Sequence, residues 1–192
     1  MADTEKNDKK EQIDTISADK FLQTRSIMLS GEIDKESAEK VIKQMLVLEA
    51  ESDDPIRVFI NSPGGDVDAG FAIYDMARFI KNEVYMIGMG LIASAATLVL
   101  LAVPAERRLG LPNSSYLIHQ PMSRMEGVAT DIEIYAKQLE RTRDRLNTII
   151  SSQTGQSIDV VAKDTDRDYW LDAQEALSYG LISRIVAHRM EI

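Results

Sequence analysis

The sequence predicts an α/β protein built on a parallel sheet, and three observations carry that expectation. First, PIRVFINSPGGDVDAGFAIYDMARFIKNEVYMI holds a β-branched run at Ile56–Asn61, a helical pattern at Ala69–Ile80 and a second extended run at Glu83–Ile87. Two strands joined through a helix form a βαβ unit, whose strands run parallel. Second, short extended runs alternate with helical ones along the rest of the chain. Third, 192 residues with 44% apolar and 28% charged side chains suffice for one well-packed domain and are tight for two.

The elements follow in order. From Ala18 the pattern suggests a helical turn, then a short strand at Ser26–Leu29 and a turn at Gly31. In SAEKVIKQMLVLEA, Val41, Met45 and Leu48 fall on one helical face. SPGGD and GMG read as glycine turns that end the two strands of the βαβ unit at the same, carboxyl edge of the sheet. Ala93–Val103 reads as a buried helix, and RRLGLP and SSYLIHQP as two further strands. A long helix over Thr130–Thr154, stopped by Gly155, carries Ile132, Tyr135, Leu139, Leu146, Ile149 and Ile150 as an apolar stripe. Such a stripe packs on its own domain or, if exposed, on a partner. LISRIV supplies a last strand. The polar segment 1–17 is expected to be a mobile tail ahead of a single domain over 18–192.

Composition removes several function classes. A net charge of −9 and a pI of about 4.8 argue against binding nucleic-acid phosphates as the main task. The absence of cysteine excludes a thiol nucleophile, a thiolate zinc site and disulfides. The N-terminus lacks the hydrophobic core of a secretory signal, and the longest apolar stretch, Leu91–Val103, falls short of the roughly 20 residues that span a bilayer. A cytoplasmic protein is expected.

The candidate chemistry lies at the sheet edge. Ser94, at the start of the buried helix, would gain from the helix dipole, and the backbone N–H groups of Ala95 and Gly65 could face an oxyanion. The plain alternative is a small residue that allows tight packing, as Ala93, Ala95 and Ala96 do. There are two histidines, and His188 lies in the terminal AHRMEI, so a catalytic imidazole would be His119, at the end of an apolar strand. DTDRD offers three acids to orient it. Asp164, Asp166, Asp168 and Glu175 also take the first, third, fifth and twelfth places of a calcium loop. Tyr169, however, stands where that loop needs glycine, and no metal is expected. A serine, a histidine, an acidic loop and a double-glycine turn make up the inventory of a serine hydrolase. The G-x-S-x-G elbow is absent, so the scaffold is not an α/β-hydrolase.

FINSPGG, GMGLIAS-AA, LPNSSYLIHQP, ATDIEIYAKQL and DTDRDYWLDAQEALSYGLI together resemble the proteolytic subunits of the Clp protease family, nearly in register from Phe21 to Val186. The resemblance implies a crotonase-like fold, a parallel-sheet head with a protruding handle helix, and a serine peptidase. It implies heptameric rings stacked as a tetradecamer, unfolded polypeptide substrates and a hexameric AAA+ unfoldase. ATP would be used by that partner, and this chain would need no cofactor. The family's triad falls on Ser94, His119 and Asp168, and its oxyanion donors on Gly65 and Ala95. Arg167 matches a residue that makes ion pairs between rings. Ser123, Arg124, Met125, Glu126 and Gly127 occupy the strand that pairs with substrate, where many relatives are glycine-rich. Arg57 and Phe59 occupy the pocket where the ATPase docks, and a cation there should weaken docking. These departures, with the unusual N-terminus, motivate a second reading: a divergent paralogue that structures or regulates a mixed barrel with a second subunit of this type. An acyl-CoA enzyme of crotonase fold is a third, but it has no use for the HQP and DRD pieces.

Overall fold

A computed structural model describes residues 20–191; the expected tail, 1–17, lies outside them. After a helical turn at residues 20–23, seven strands and six α-helices follow among the described residues, with two short 3-10 turns. The strands are β1 (Ser26–Ser30), β2 (Ile56–Ser62), β3 (Val84–Ala93), β4 (Arg108–Gly110), β5 (Ser115–Ile118), β6 (Tyr169–Asp172) and β7 (Arg184–Ile185). The helices are α1 (Lys35–Glu51), α2 (Val67–Phe79), α3 (Ala95–Leu100), α4 (Ala129–Thr154), α5 (Ile158–Asp164) and α6 (Ala173–Tyr179).

The sheet runs β1-β2-β3-β4-β7, parallel throughout, with β5 added parallel to β3 and β6 antiparallel to β5. Helix α1 starts with a capping box between Asp34 and Ser37 and buries Ala38, Val41, Met45 and Leu48, the expected face with Ala38 added. On β2, Ile56, Val58 and Ile60 point into the main core beside α1 and α2. Arg57 and Phe59 point to the other face. There Phe59 joins Tyr85, Ile87, Leu109, Leu111 and Val186 in a second, smaller cluster to which no helix among the described residues contributes.

The expectation for GMG is corrected. Residues 88–90 do not end β3; the strand continues to Ala93 and changes neighbours on the way. Met86–Gly88 pair with β4, and Leu91–Ala93 pair with β5. The bend between the two sets sits at Gly90, where φ is +62° and a Cβ would lie 2.7 Å from Asn61 Oδ1. That same oxygen accepts the N–H of Leu91, so the kinked backbone stays hydrogen-bonded. Gly88 leaves room for the Tyr116 hydroxyl, which a Cβ would approach to 2.9 Å. These glycines serve close approach and a change of partner inside one strand.

Helix α4 divides in two. Leu146, Ile149 and Ile150 pack on the core, and Gly155 ends the helix with φ +79° as expected. Arg108, buried in β4, donates from Nη2 to the Gln153 carbonyl (2.7 Å), a cation at a helix C-terminus; burial lowers its pKa. The opposite end of α4 stands clear of the head, and residues 129–138 are exposed, Ile132, Ile134 and Tyr135 among them. This is the protruding handle.

Ser123–Gly127 is not a strand here, because among the described residues no neighbouring strand lies beside it to form a ladder. The four acids of the calcium-like spacing do not converge. Asp164 accepts the Tyr179 hydroxyl, Asp166 accepts the Gln120 amide chiefly through its backbone carbonyl, and Asp168 pairs with His119. Glu175 closes a capping box with Asp172 at the start of α6.

Candidate active site

Ser94 sits between β3 and α3 as the N-cap of that short helix, with φ 56° and ψ −121°. A non-glycine residue with positive φ is strained and persists where its surroundings hold it. Here they do. The Ser94 N–H donates to the Leu117 carbonyl (2.9 Å), and the Ser94 carbonyl accepts from Thr97 (2.9 Å). The sharp strand-turn-helix places the hydroxyl outward without a G-x-S-x-G sequence. Space for the turn comes from a different loop. At Gly64 a Cβ would lie 2.8 Å from Ser94 Cβ and 2.6 Å from the Ala93 carbonyl, so a side chain there is excluded.

The Gly64–Gly65 turn is held from outside. Ser62 Oγ accepts the Gly64 N–H (3.1 Å), while Ile33 donates to the Gly64 carbonyl (2.8 Å) and accepts from Asp66 (2.7 Å). This bridge leaves the Gly65 N–H unused. Ala95 is the first residue of α3, so its N–H precedes the first intrahelical bond and is likewise unspent.

β5 carries the histidine to the same edge. His119 Nε2 lies 2.8 Å from Ser94 Oγ, and its Nδ1 lies 2.9 Å from Asp168 Oδ1. Asp168 only accepts when ionised, so Nδ1 carries the proton, and Nε2 accepts from the serine hydroxyl. The His119 side chain is 12% exposed and that of Asp168 60%. The residue after the histidine is fixed from below: Gln120 donates from its backbone to the Thr165 carbonyl (2.6 Å) and from Nε2 to the Asp166 carbonyl (2.7 Å). Thr165 Oγ1 donates to Asn147 Oδ1 on α4 (2.8 Å), and both residues are buried. The base of the handle is thereby tied to the loop that carries His119 and Asp168. Asn147 and Thr165 escaped the sequence reading; the signal present was a polar residue, Asn147, next to an apolar stripe position, Leu146.

Beside Ser94 opens a narrow cavity of about 30 Å³, lined by Val67, Leu98, Ile118, Pro121, Leu146 and Ile150 together with Ala95, Thr97 and His119. A wider cleft of about 240 Å³ runs from Gly65 past Pro121 and Ser123 to Tyr135 and Thr142 on α4. Ser123 Oγ and Tyr135 Oη are hydrogen-bonded across it. Of the expected site residues, Ser94, His119 and Asp168 come together with Ala95 next to the serine, and Gly65 follows Gly64, the residue that abuts the Ser94 turn. Ser123–Gly127 borders them as an exposed segment. Arg167 is exposed and forms no salt bridge among the described residues, and Arg57 and Phe59 lie on the far face of the sheet.

A strained serine, a histidine at hydrogen-bonding distance and an aspartate behind it define a hydrolase of the serine class. The model of the Clp protease family matches residues 8–189. The ATP-dependent Clp protease proteolytic subunit 2 of Treponema pallidum is 56% identical over 192 residues, covering 100% of this chain and 96% of that protein. Subunit 3 of Rhizobium etli is 48% identical over 195 residues, 100% of both chains. Among solved structures, a mutant ClpP1 from Listeria monocytogenes superposes with a TM-score of 0.84 at 46% identity, covering 90% of this chain and 96% of that one. The chain belongs to the Clp protease family and is a serine peptidase.

Proposed function

We propose that the chain is the proteolytic subunit of an ATP-dependent Clp-type protease, cutting unfolded polypeptides with Ser94, His119 and Asp168. The observation that carries this reading is His119, held between Ser94 Oγ at 2.8 Å and Asp168 Oδ1 at 2.9 Å. His119 Nε2 takes the hydroxyl proton as Ser94 attacks the peptide carbonyl, and Asp168 stabilises the resulting imidazolium. The unspent N–H groups of Gly65 and Ala95 bind the oxyanion, each worth roughly 3 kcal/mol in sites of this kind. His119 then protonates the leaving amine, and water releases the acyl group by the same steps. The apolar cavity beside Ser94 supports an apolar side chain next to the cut bond. No cofactor is needed, and ATP is consumed by an AAA+ unfoldase partner.

The exposed outer half of α4 supports stacked heptameric rings, with Arg167 pairing across the ring interface and Ser123–Gly127 receiving substrate as an added strand. The helix-free cluster around Phe59 supports an unfoldase docking face. Arg57 on that face favours one alternative, a subunit that chiefly structures a mixed barrel with a second ring. No helix among the described residues is long and apolar enough to cross a membrane, and a cytoplasmic site of action is part of the proposal.

Intact mass after treatment with a fluorophosphonate tests the catalytic reading. One adduct on the native chain and none on Ser94→Ala is the expected result. If labelling of this chain appears only after a second ring is added, the subunit is a dormant peptidase that a mixed barrel activates; no labelling in either state overturns the catalytic reading and leaves the structural role.

A further inference from the structure

The ends of β3 and β5 carry Ser94 and His119, so the spacing of these two strands sets the distance between nucleophile and base. Their ladder is short. Three registered pairs, Leu91 with Ser115, Ile92 with Tyr116 and Ala93 with Leu117, are followed by one last rung from the Ser94 N–H to the Leu117 carbonyl. Thr97 lies over this rung. Its side chain is buried, 2% exposed, and its Oγ1 is 3.1 Å from the Ile92 carbonyl and 3.0 Å from the Leu117 carbonyl. A helical threonine ordinarily returns its hydroxyl to the carbonyl three or four residues back. Thr97 instead offers its proton to two strand ends, one two residues before Ser94 and the other two residues before His119.

We infer that Thr97 is a positioning residue for the peptidase reaction: its shared hydroxyl fastens the nucleophile strand to the histidine strand and so keeps Ser94 and His119 at hydrogen-bonding distance. The inference rests on the catalytic reading above and deepens it. Thr97 also lines the apolar cavity, so its shape and its hydroxyl have separable effects. Thr97→Val keeps the shape and removes the donor; Thr97→Ser keeps the donor and removes a methyl group. A misplacement of about 1 Å in such a pair costs up to about 100-fold in rate.

The test measures kcat and KM on a fluorogenic peptide with the assembled protein, counting active sites by fluorophosphonate adduct mass. Thr97→Val should lower kcat per labelled site about 10- to 100-fold with KM within about twofold. Thr97→Ser should keep kcat within about threefold and raise KM for peptides with an apolar residue at the cut. Lost folding would lower the number of labelled sites and leave kcat per site alone. An unchanged kcat in Thr97→Val, or an equal loss in Thr97→Ser, overturns the inference. Should Thr97→Val fail to fold, Thr97→Ser and Thr97→Ala, which differ only in the hydroxyl, must separate by the same factor. A native chain that takes no adduct sinks the catalytic reading itself, an outcome distinct from any of these.

Discussion

The two halves of α4 are built alike and live differently. Toward Thr154, the helix inserts Leu146, Asn147, Ile149 and Ile150 into the head, and Arg108 holds its last turn. Toward Ala129, the same helix presents Ile132, Ile134 and Tyr135 to solvent, supported on the surface by a Lys137–Glu133 pair one turn apart. Apolar periodicity is present in both halves, yet among the described residues only one half is buried against the core; the outer half touches the head through the Ser123–Tyr135 hydrogen bond. The inner half is a matter of folding, and the outer half a matter of association.

Four substitutions sharpen or break that contrast, taken from the largest expected effect to the smallest. Ile150→Ala should cost about 3 kcal/mol by urea denaturation, since it empties a buried site at the junction of helix and head. It also widens the cavity beside Ser94, so residual activity should shift toward bulkier apolar residues. Next comes Tyr116, in the core below the site, whose hydroxyl contacts Ser114 and whose pKa is pushed up by burial to about 12. The unfolded chain releases that proton nearer pH 10, so this contribution is intact below pH 10 and is lost as pH rises toward 12. The loss is of order 2 kcal/mol, and Tyr116→Phe should lack that part of the alkaline transition. Asn147→Ala should cost about 1–2 kcal/mol and also slow peptide cleavage, because it frees the Thr165 loop that fixes Gln120. Ile134→Ser, on the outer half, should change unfolding by less than about 0.5 kcal/mol while weakening ring stacking in sedimentation velocity. An Ile134→Ser chain that unfolds as readily as Ile150→Ala would erase the distinction between the halves.

Much of the architecture could be read from local pattern. The βαβ unit, the buried face of α1 and the Gly155 stop are all consequences of spacing along a few consecutive residues, and apart from the far end of β3 they appear within a residue or two of expectation. The residues at the site were legible in two steps: two histidines and no cysteine narrowed the chemistry to His119 and a hydroxyl nucleophile, and the resemblance to the Clp family then chose Ser94 and, among three acids, Asp168. What local pattern misjudged was long-range. GMG looks like a turn because two glycines stand together, whereas their cause is Tyr116 and Asn61, 28 residues after Gly88 and 29 before Gly90. Thr97 and Asn147 gave almost no signal, because a buried hydroxyl or amide is marked by the carbonyls it meets, not by its own sequence position.

The close approach of Gly64 to Ser94 reaches beyond this chain. A sister protein could retain serine, histidine and aspartate and still be silenced by one methyl group at position 64, which would collide with the very turn that bears the nucleophile. Judging whether such a sister is a working enzyme or a dormant ring member therefore requires reading four positions, and the fourth bears no reactive group at all.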